Sequence, residues 1–405
     1  MLAFAAAAVW AMSFLTLYGF GWNDYAVEVA PAYSALAAGH LVGFLQLAPA
    51  YGGSLELRAP FALLPGLWHG GETAVYQAVS LPCLIAAALF GVWLVNRMRA
   101  IGHNRLACAT ALGLCVANPV TLYALQDGHP EELLGAVLCV VAVLAAQRER
   151  SLLAGALLGL AIVNKEWGLL AIGPVLVALP SWPRRGRALG LAGAIAVVFY
   201  APLLLSHWLG GPPSTSLDTA ASGGAIFQPW QLWWFLGSHG ALVHGSFGVA
   251  KPGYRTPPGW IESISHPLIV ALAVPVSALA LRRRGTDAML LLALLLALRC
   301  ALDTWDFVYY PLPFLFALLV WEATNRRRPP LLALAASVAV WLVFVVAPER
   351  LSPDAQALLF ALVALPTLAA LIVGVYSPGA PRLRSGFGVR ARRSSSAASA
   401  PMSLL

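Results

Sequence analysis

Apolar and polar positions along this chain alternate in long blocks, not residue by residue. Apolar runs lie near 2–21, 73–96, 106–125, 132–146, 188–208, 267–281, 287–302, 309–324, 331–347 and 355–376, separated by polar or charged stretches. A helix rises about 1.5 Å per residue, so about 20 apolar residues cross the hydrocarbon core of a bilayer. Unbroken runs are the pattern of membrane helices, whereas a barrel strand would alternate. The predicted fold class is an all-α polytopic membrane protein.

The stretch 151–180 does not fit one helix. It is apolar at both ends but carries Asn164-Lys165-Glu166 at its centre. Three such residues at mid-bilayer are costly. Two short helices meeting at the triplet, on one membrane face, avoid that cost.

Charge decides where that face lies. Arg148/Arg150 and Arg184/Arg185/Arg187 fall on the same side only if 151–180 crosses twice. Arg97, Arg99, Arg105, Arg282–Arg284, Arg326–Arg328 and the tail arginines then join them, as the positive-inside rule requires. The expectation is about twelve transmembrane segments (range 10–13) with both termini cytoplasmic.

Composition strengthens the membrane reading. The 405 residues are 60% hydrophobic and only 10% charged, with mean hydropathy +0.77. Soluble domains average about 25% charged residues. The net charge of +8 follows from the arginine clusters and does not call for nucleic acid. The cysteines Cys83, Cys108, Cys115, Cys139 and Cys300 all sit inside apolar runs, where they form neither a disulfide framework nor a metal spacing. The first segment lacks a basic n-region and runs into an aromatic patch, unlike a cleaved signal peptide.

Two long outer loops follow from this topology, at 22–72 and 209–266, within a transmembrane domain spanning 1–376. The second is rich in Gly, Pro, Ser and Trp, and its aromatics (Trp230, Trp233, Trp234, Phe235, Phe247, Tyr254, Trp260) fit an ordered loop on the membrane interface. The tail 377–405 is basic and Ser/Ala-rich, the composition of a disordered cytoplasmic segment.

Titratable chemistry gathers on the outer side. Of the eight histidines only His103 lies inside, and most acids are outside as well. Three clusters stand out. Asp24 follows Trp22-Asn23 at the end of the first segment, with Glu28 one turn on. Asp24 is either a site carboxylate or the N-cap of a short interfacial helix. Gln126-Asp127-Gly128-His129-Pro130-Glu131-Glu132 is a turn between two segments, whose acids either contribute to a site or complement the next helix dipole. Lys165, between two half-helices at headgroup depth, suits a phosphate, or else pairs with Glu166. Arg58 and Arg299 are further outer cations, and Arg299, inside an apolar run, needs a partner such as Asp303 or Asp306. A divalent metal on His129 with Asp127 or Glu131 stays open, since no spaced ligand set completes it. There is no P-loop, dinucleotide-binding Gly-rich turn, GxSxG, HExxH or DxD.

The order of these features resembles the GT-C superfamily of integral-membrane glycosyltransferases, and most closely its bacterial polyprenyl-phosphate mannosyl/arabinofuranosyltransferase-like branch (family 87-like). Four stretches carry the likeness: Asp24 with Tyr33-Ser34-Ala35-Leu36-Ala37-Ala38-Gly39-His40; Ala59-Pro60-Phe61-Ala62-Leu63-Leu64-Pro65; Asn118-Pro119 with the Gly128-His129 turn; and Leu158-Gly159-Leu160-Ala161-Ile162-Val163-Asn164-Lys165-Glu166-Trp167. They cover roughly the first 180 residues. The resemblance implies a GT-C-like bundle and a first-loop acid as catalytic base, at Asp24. Many relatives carry paired acids there, whereas this chain has Asn23-Asp24, so Glu28, Asp127 or Glu131 would supply a second carboxylate.

The expected activity is transfer of one mannose- or pentose-like sugar, with inversion, from a polyprenyl-phosphate donor to a glycan, glycolipid or protein acceptor at the outer face of the plasma membrane. The Ala-, Gly- and Arg-rich composition fits a high-GC bacterial genome and a cell-envelope acceptor. Asp24 would take the acceptor proton. Lys165, Arg58 and Arg299 would meet the donor phosphate, and Tyr25, His129 and Trp167 would contact substrate. The rival expectation is a transporter or flippase of a lipid-linked or polar solute, although no inverted repeat is visible.

Overall fold

The computed structural model describes residues 1–19, 24–49, 51–208, 227–239, 253–283 and 285–377. Helices dominate. α1 (Leu2–Leu15) runs into a 3-10 turn, Thr16–Gly19. The stretch 22–72, expected as a loop, is a string of short helices where described. It holds a π-helical turn Tyr25–Val29, α2 (Ala30–Ala37), α3 (Leu41–Gln46), α4 (Gly52–Ala62) and a 3-10 turn Leu64–Trp68. Each is too short to show a clear apolar period, which is why the pattern read as loop. These pieces have their own core of Tyr25, Tyr33, Phe44, Tyr51, Leu55 and Tyr76.

α5 (Glu72–Ala100) is the longest helix and ends in Arg97 and Arg99, cations at the negative end of the dipole. The expected segment 106–125 is two helices, α6 (Arg105–Val116) and α7 (Pro119–Gln126). Asn118 forces the break: its side chain accepts the Val120 N–H, and Pro119 cannot donate to a continuing helix. α8 (Pro130–Gln147) follows the Asp127–His129 turn.

The 151–180 stretch does break at the triplet. α9 (Ser151–Asn164) stops at Lys165, whose backbone is extended at φ −156°, ψ 136°. A 3-10 turn (Glu166–Ala171) and α10 (Ile172–Ala178) follow. The chain folds back there, so that Gly168 lies against the Ala161 backbone. α11 (Trp182–Trp208) then packs along α9. Gly155 and Gly159, four residues apart, meet the Ala188 and Ala192 carbonyls; a Cβ on Gly155 would lie 2.5 Å from the first. Small residues at this spacing let membrane helices touch backbone to backbone.

Most of the expected second outer loop, 209–226 and 240–252, lies outside the described residues, as do Trp22, Asn23 and the tail 378–405. What is described there is packed: Trp230 and Trp234 are buried, Gln228 N–H donates to Thr304 and Leu232 N–H to Ala301. β1 (Ser238–His239) pairs antiparallel with β2 (Arg255–Thr256). The remaining helices are α12 (Gly259–Arg282), α13 (Ala288–Leu302), α14 (Leu312–Asn325), α15 (Leu331–Trp341), continued by short turns to Glu349, and α16 (Pro353–Tyr376).

Seven described helical stretches are long and apolar enough to cross a membrane, and five shorter apolar helices of 10–17 residues accompany them. Burial sorts them as a bilayer would. α8, α13 and α14 are covered almost all round, whereas α11, α12, α15 and α16 turn Val197, Val198, Val274, Val338, Leu362 and Val373 outward. In water such faces would be an aggregation liability; in lipid they are the solvent-facing side. The described residues form an almost wholly helical bundle, and its apolar helices have the length and the outward faces suited to a membrane.

Candidate active site

Four sequence-distant elements converge around the start of α8. Gly128 shapes the approach. Its φ is +99°, the left-handed region, and a Cβ there would stand 2.5 Å from the Tyr25 nitrogen. Only glycine permits both the conformation and the contact. The Asp24 N–H donates to the Asp127 carbonyl at 3.1 Å, which ties the first acidic segment to the turn.

Asp24 does not act as a helix cap, since its side chain makes no hydrogen bond to the turn it precedes. Its Oδ2 instead lies 2.9 Å from His129 Nε2. The other ring nitrogen, Nδ1, is 2.7 Å from Glu131 Oε1. Asp24 keeps 43% of its side chain exposed, while His129 is at 5% and Glu131 at 0%. The result is a carboxylate at the rim, held by an imidazole that is backed by a buried carboxylate. Oδ1 of Asp24 makes no hydrogen bond among the described residues.

Glu131 is braced on its other side. Arg58, from α4, reaches its Oε2 at 3.2 Å, and Lys165, at the break after α9, is 3.4 Å from its Oε1. Arg58 also donates from Nε to the Ser54 carbonyl, and Ser54 hydrogen-bonds Asn164, whose amide donates to the Glu131 carbonyl. Lys165 lies 3.8 Å from the Tyr51 ring centre, and the Tyr51 hydroxyl donates to Glu28. The alternative of a Lys165–Glu166 pair is not what forms; the extended backbone at Lys165 aims its ammonium at Glu131 and Glu132 instead.

Glu132 continues the network. Adjacent helical residues point apart, so Glu132 faces away from His129, towards Trp167 (Nε1 donating at 3.2 Å), Lys165 at 3.7 Å and Arg299 at 3.7 Å. Arg299 stacks on Tyr310 at 4.3 Å and pairs with Asp303 at 3.9 Å, the first of the two partners expected for it. Asp303 in turn holds His266 at 3.1 Å. Arg299 Nη1 is buried without a hydrogen-bond partner among the described residues.

His129 and Asp127, in the turn between α7 and α8, both have shifted acidities. Burial alone would lower His129; the Glu131 charge and the hydrogen bonds to Asp24 and Glu131 overcome it and push the pKa up to about 10. His129 is therefore an imidazolium at neutral pH. Asp127 is pushed up to about 6 by burial, with His129 opposing and Asp24 adding.

The candidates from sequence divide as follows. Asp24, His129, Glu131, Arg58, Lys165, Trp167 and Arg299 form one network. Glu28 stands beside it through Tyr51, and Asp127 through its backbone. Tyr25 is buried with its ring 4.6 Å from Tyr76 and lies beneath the site, not open to it. Trp167 is likewise buried and positions Glu132. Among the described residues, no three His, Cys, Asp or Glu side chains converge as a metal-ligand set, and both His129 nitrogens are committed to carboxylates. Sequence reasoning counted Glu132 among the acids of the turn without giving it a role of its own, and missed Tyr51 and Tyr309, whose ring lies 4.6 Å from that of His129. The available signal for Glu132 was the doubled acid Glu131-Glu132 beside His129.

Chemically, the arrangement offers a partly exposed carboxylate, Asp24, on an electrically balanced foundation. Charges this deep persist only when paired. The cluster alternates sign from Asp24 through His129, Glu131, Lys165, Glu132 and Arg299 to Asp303. Comparison with protein-family models and with curated proteins finds no match to this chain.

Proposed function

We propose that the chain is a membrane glycosyltransferase of the GT-C type, moving a single mannose- or pentose-like sugar from a polyprenyl-phosphate donor to a cell-envelope glycan, glycolipid or protein. The observation that carries this reading is the half-exposed Asp24 held by the buried His129–Glu131 pair. Asp24 Oδ1 accepts the proton of an acceptor hydroxyl. The hydroxyl oxygen forms a bond to C1 of the sugar while the C1–O bond to phosphate breaks, and the electron pair leaves with the polyprenyl phosphate. Attack from the face opposite the phosphate inverts the anomeric centre.

His129 orients Asp24, and the imidazole is itself held by Glu131. The leaving phosphate needs a preplaced donor. Arg299, with Nη1 unpartnered among the described residues, and Lys165 beside it are the cations for that role. Arg58, doubly engaged with Ser54 and Glu131, holds Glu131 in place. Placing the arginine clusters in the cytoplasm puts this site at the outer face, where a lipid-linked donor is available and nucleotide sugars are not.

The buried chain of charges also favours a second reading. Ionisable residues within a membrane bundle commonly serve ion or proton pathways, so a transporter or flippase is the alternative. One experiment separates them. Purified protein in proteoliposomes is given labelled polyprenyl-phosphate sugar and an acceptor extract. Covalent sugar transfer supports the enzyme; movement of label across the bilayer with no covalent product supports the transporter.

A further inference from the structure

Away from the Asp24 cluster, α13, α14, α15 and α16 leave between them a groove of about 1450 Å³. Small-molecule sites measure roughly 300–1,000 Å³, so this space suits something larger. Its walls are apolar along most of their length, from Leu290 on α13, Phe314 and Leu318 on α14 and Ala336 on α15 to Phe360 and Leu371 on α16. On α15 and the turn after it, the lining runs from Leu332 to Phe344. Twelve helical residues rise about 18 Å, against about 15 Å for one leaflet of a hydrocarbon core about 30 Å thick. The groove has the length and character of a hydrocarbon-chain site.

Its mouth is cationic. Arg283, Thr286, Asn325 and Arg326 line one end. Arg283 donates to the Tyr376 carbonyl and lies over that ring, while Arg326 lies over Trp321 and is 3.9 Å from Glu322. The acids at this end are already engaged. Asp287 caps α13 and accepts from Asn325, and Glu322 Oε2 accepts the Leu332 and Ala333 N–H groups. Arg282, Arg327 and Arg328 stand exposed alongside. A cationic mouth on an apolar groove between membrane helices is complementary to an anionic lipid.

We propose that this groove is a binding site for an anionic phospholipid of the cytoplasmic leaflet, with its acyl chains between α13 and α16 and its phosphate on Arg283 and Arg326. The far end of the groove stops at Cys300 and Pro311, next in sequence to Arg299 and Tyr310 of the ion network. A seated lipid therefore fills the space behind the helix that presents Arg299 and holds the four helices together. This site stands independently of the glycosyltransferase reading.

The test uses the purified full-length protein in a zwitterionic detergent, with phosphatidylglycerol and phosphatidylcholine of identical chains as probes. Native mass spectrometry and thermal unfolding are the readouts. Phosphatidylglycerol is expected to be retained and to raise Tm, and phosphatidylcholine to do neither. R283Q/R326Q is expected to weaken phosphatidylglycerol by about 30-fold, each arginine contributing about fivefold. Ala336→Trp, which fills the groove and leaves the arginines in place, is expected to abolish retention. Equal retention of the two lipids by the wild-type protein overturns the proposal, and needs no variant to fold. Unchanged binding by R283Q/R326Q overturns it as well. So does displacement of phosphatidylglycerol by polyprenyl phosphate, which would assign the groove to a donor chain.

Discussion

His129 Nε2 lies 2.9 Å from Asp24 Oδ2, joining residues 105 positions apart in the chain. Everything else in the site follows from keeping that contact in place, and the imidazole is itself held by Glu131. Replacing His129 with Gln removes a hydrogen bond to a charged group, an interaction of about 1.5–3 kcal/mol. In a sugar-transfer assay, H129Q is expected to lose about 10- to 100-fold in kcat, with donor KM little changed. A rise in KM at unchanged kcat would show that His129 binds substrate and does not position the base.

The protonation of His129 makes a pH prediction. Its folded pKa, about 10, stands above the unfolded value of about 6.5. A group raised in this way contributes stability fully below pH 6.5, and the contribution is lost as pH rises through about 10. Thermal unfolding from pH 6 to 10.5 should show a falling Tm that H129Q flattens.

Asp127 acts in the same direction but in a lower pH window. Burial raises it to about 6 from an unfolded value of about 3.9. The folded state prefers the neutral acid, so stability is lost as pH rises from about 4 through 6 and stays lost above. Asp127→Asn is therefore expected to raise Tm at pH 7 and to leave it unchanged at pH 4. A lower Tm at pH 7 would contradict the assignment.

Glu131 anchors three cations at once. Glu131→Gln leaves Arg58, Lys165 and His129 without their shared counter-charge in a dry interior, which costs about 3–5 kcal/mol. Adding Arg58→Met should recover part of that loss, because the two residues are coupled. Additive losses in a double-mutant cycle would show that the 3.2 Å contact carries no energy.

Gly128 is the narrowest steric constraint near the base. A Cβ would meet the Tyr25 nitrogen at 2.5 Å and strain a φ of +99°. Gly128→Ala must shift the Asp24–Val29 segment, and a displacement of about 1 Å at a catalytic group can cost about 10²-fold. Normal transfer by Gly128→Ala would mean that the segment carries no catalytic group.

The bundle was legible in the sequence because bilayer helices announce themselves as apolar runs. The break at Asn164-Lys165 was legible for the same reason, since the Asn164-Lys165-Glu166 triplet is costly at mid-bilayer. The helices within 22–72 were not, because pieces such as Leu41–Gln46 are too short to develop a period. Asp24 and His129 were both visible as candidates. Their contact was not, because it depends on how α4, α8 and α9 pack, and on the extended Lys165 that no propensity predicts. Arg299–Asp303 was readable as an i,i+4 pair, whereas Arg299–Glu132 joins two helices and was not.

The central claim is that Asp24 is the base. The direct measurement is transfer of labelled sugar from polyprenyl phosphate by purified Asp24→Asn, beside the wild type, at matched Tm. Loss of the base is predicted to slow transfer by about 10²- to 10⁴-fold. Turnover by Asp24→Asn close to the wild-type rate would contradict the account.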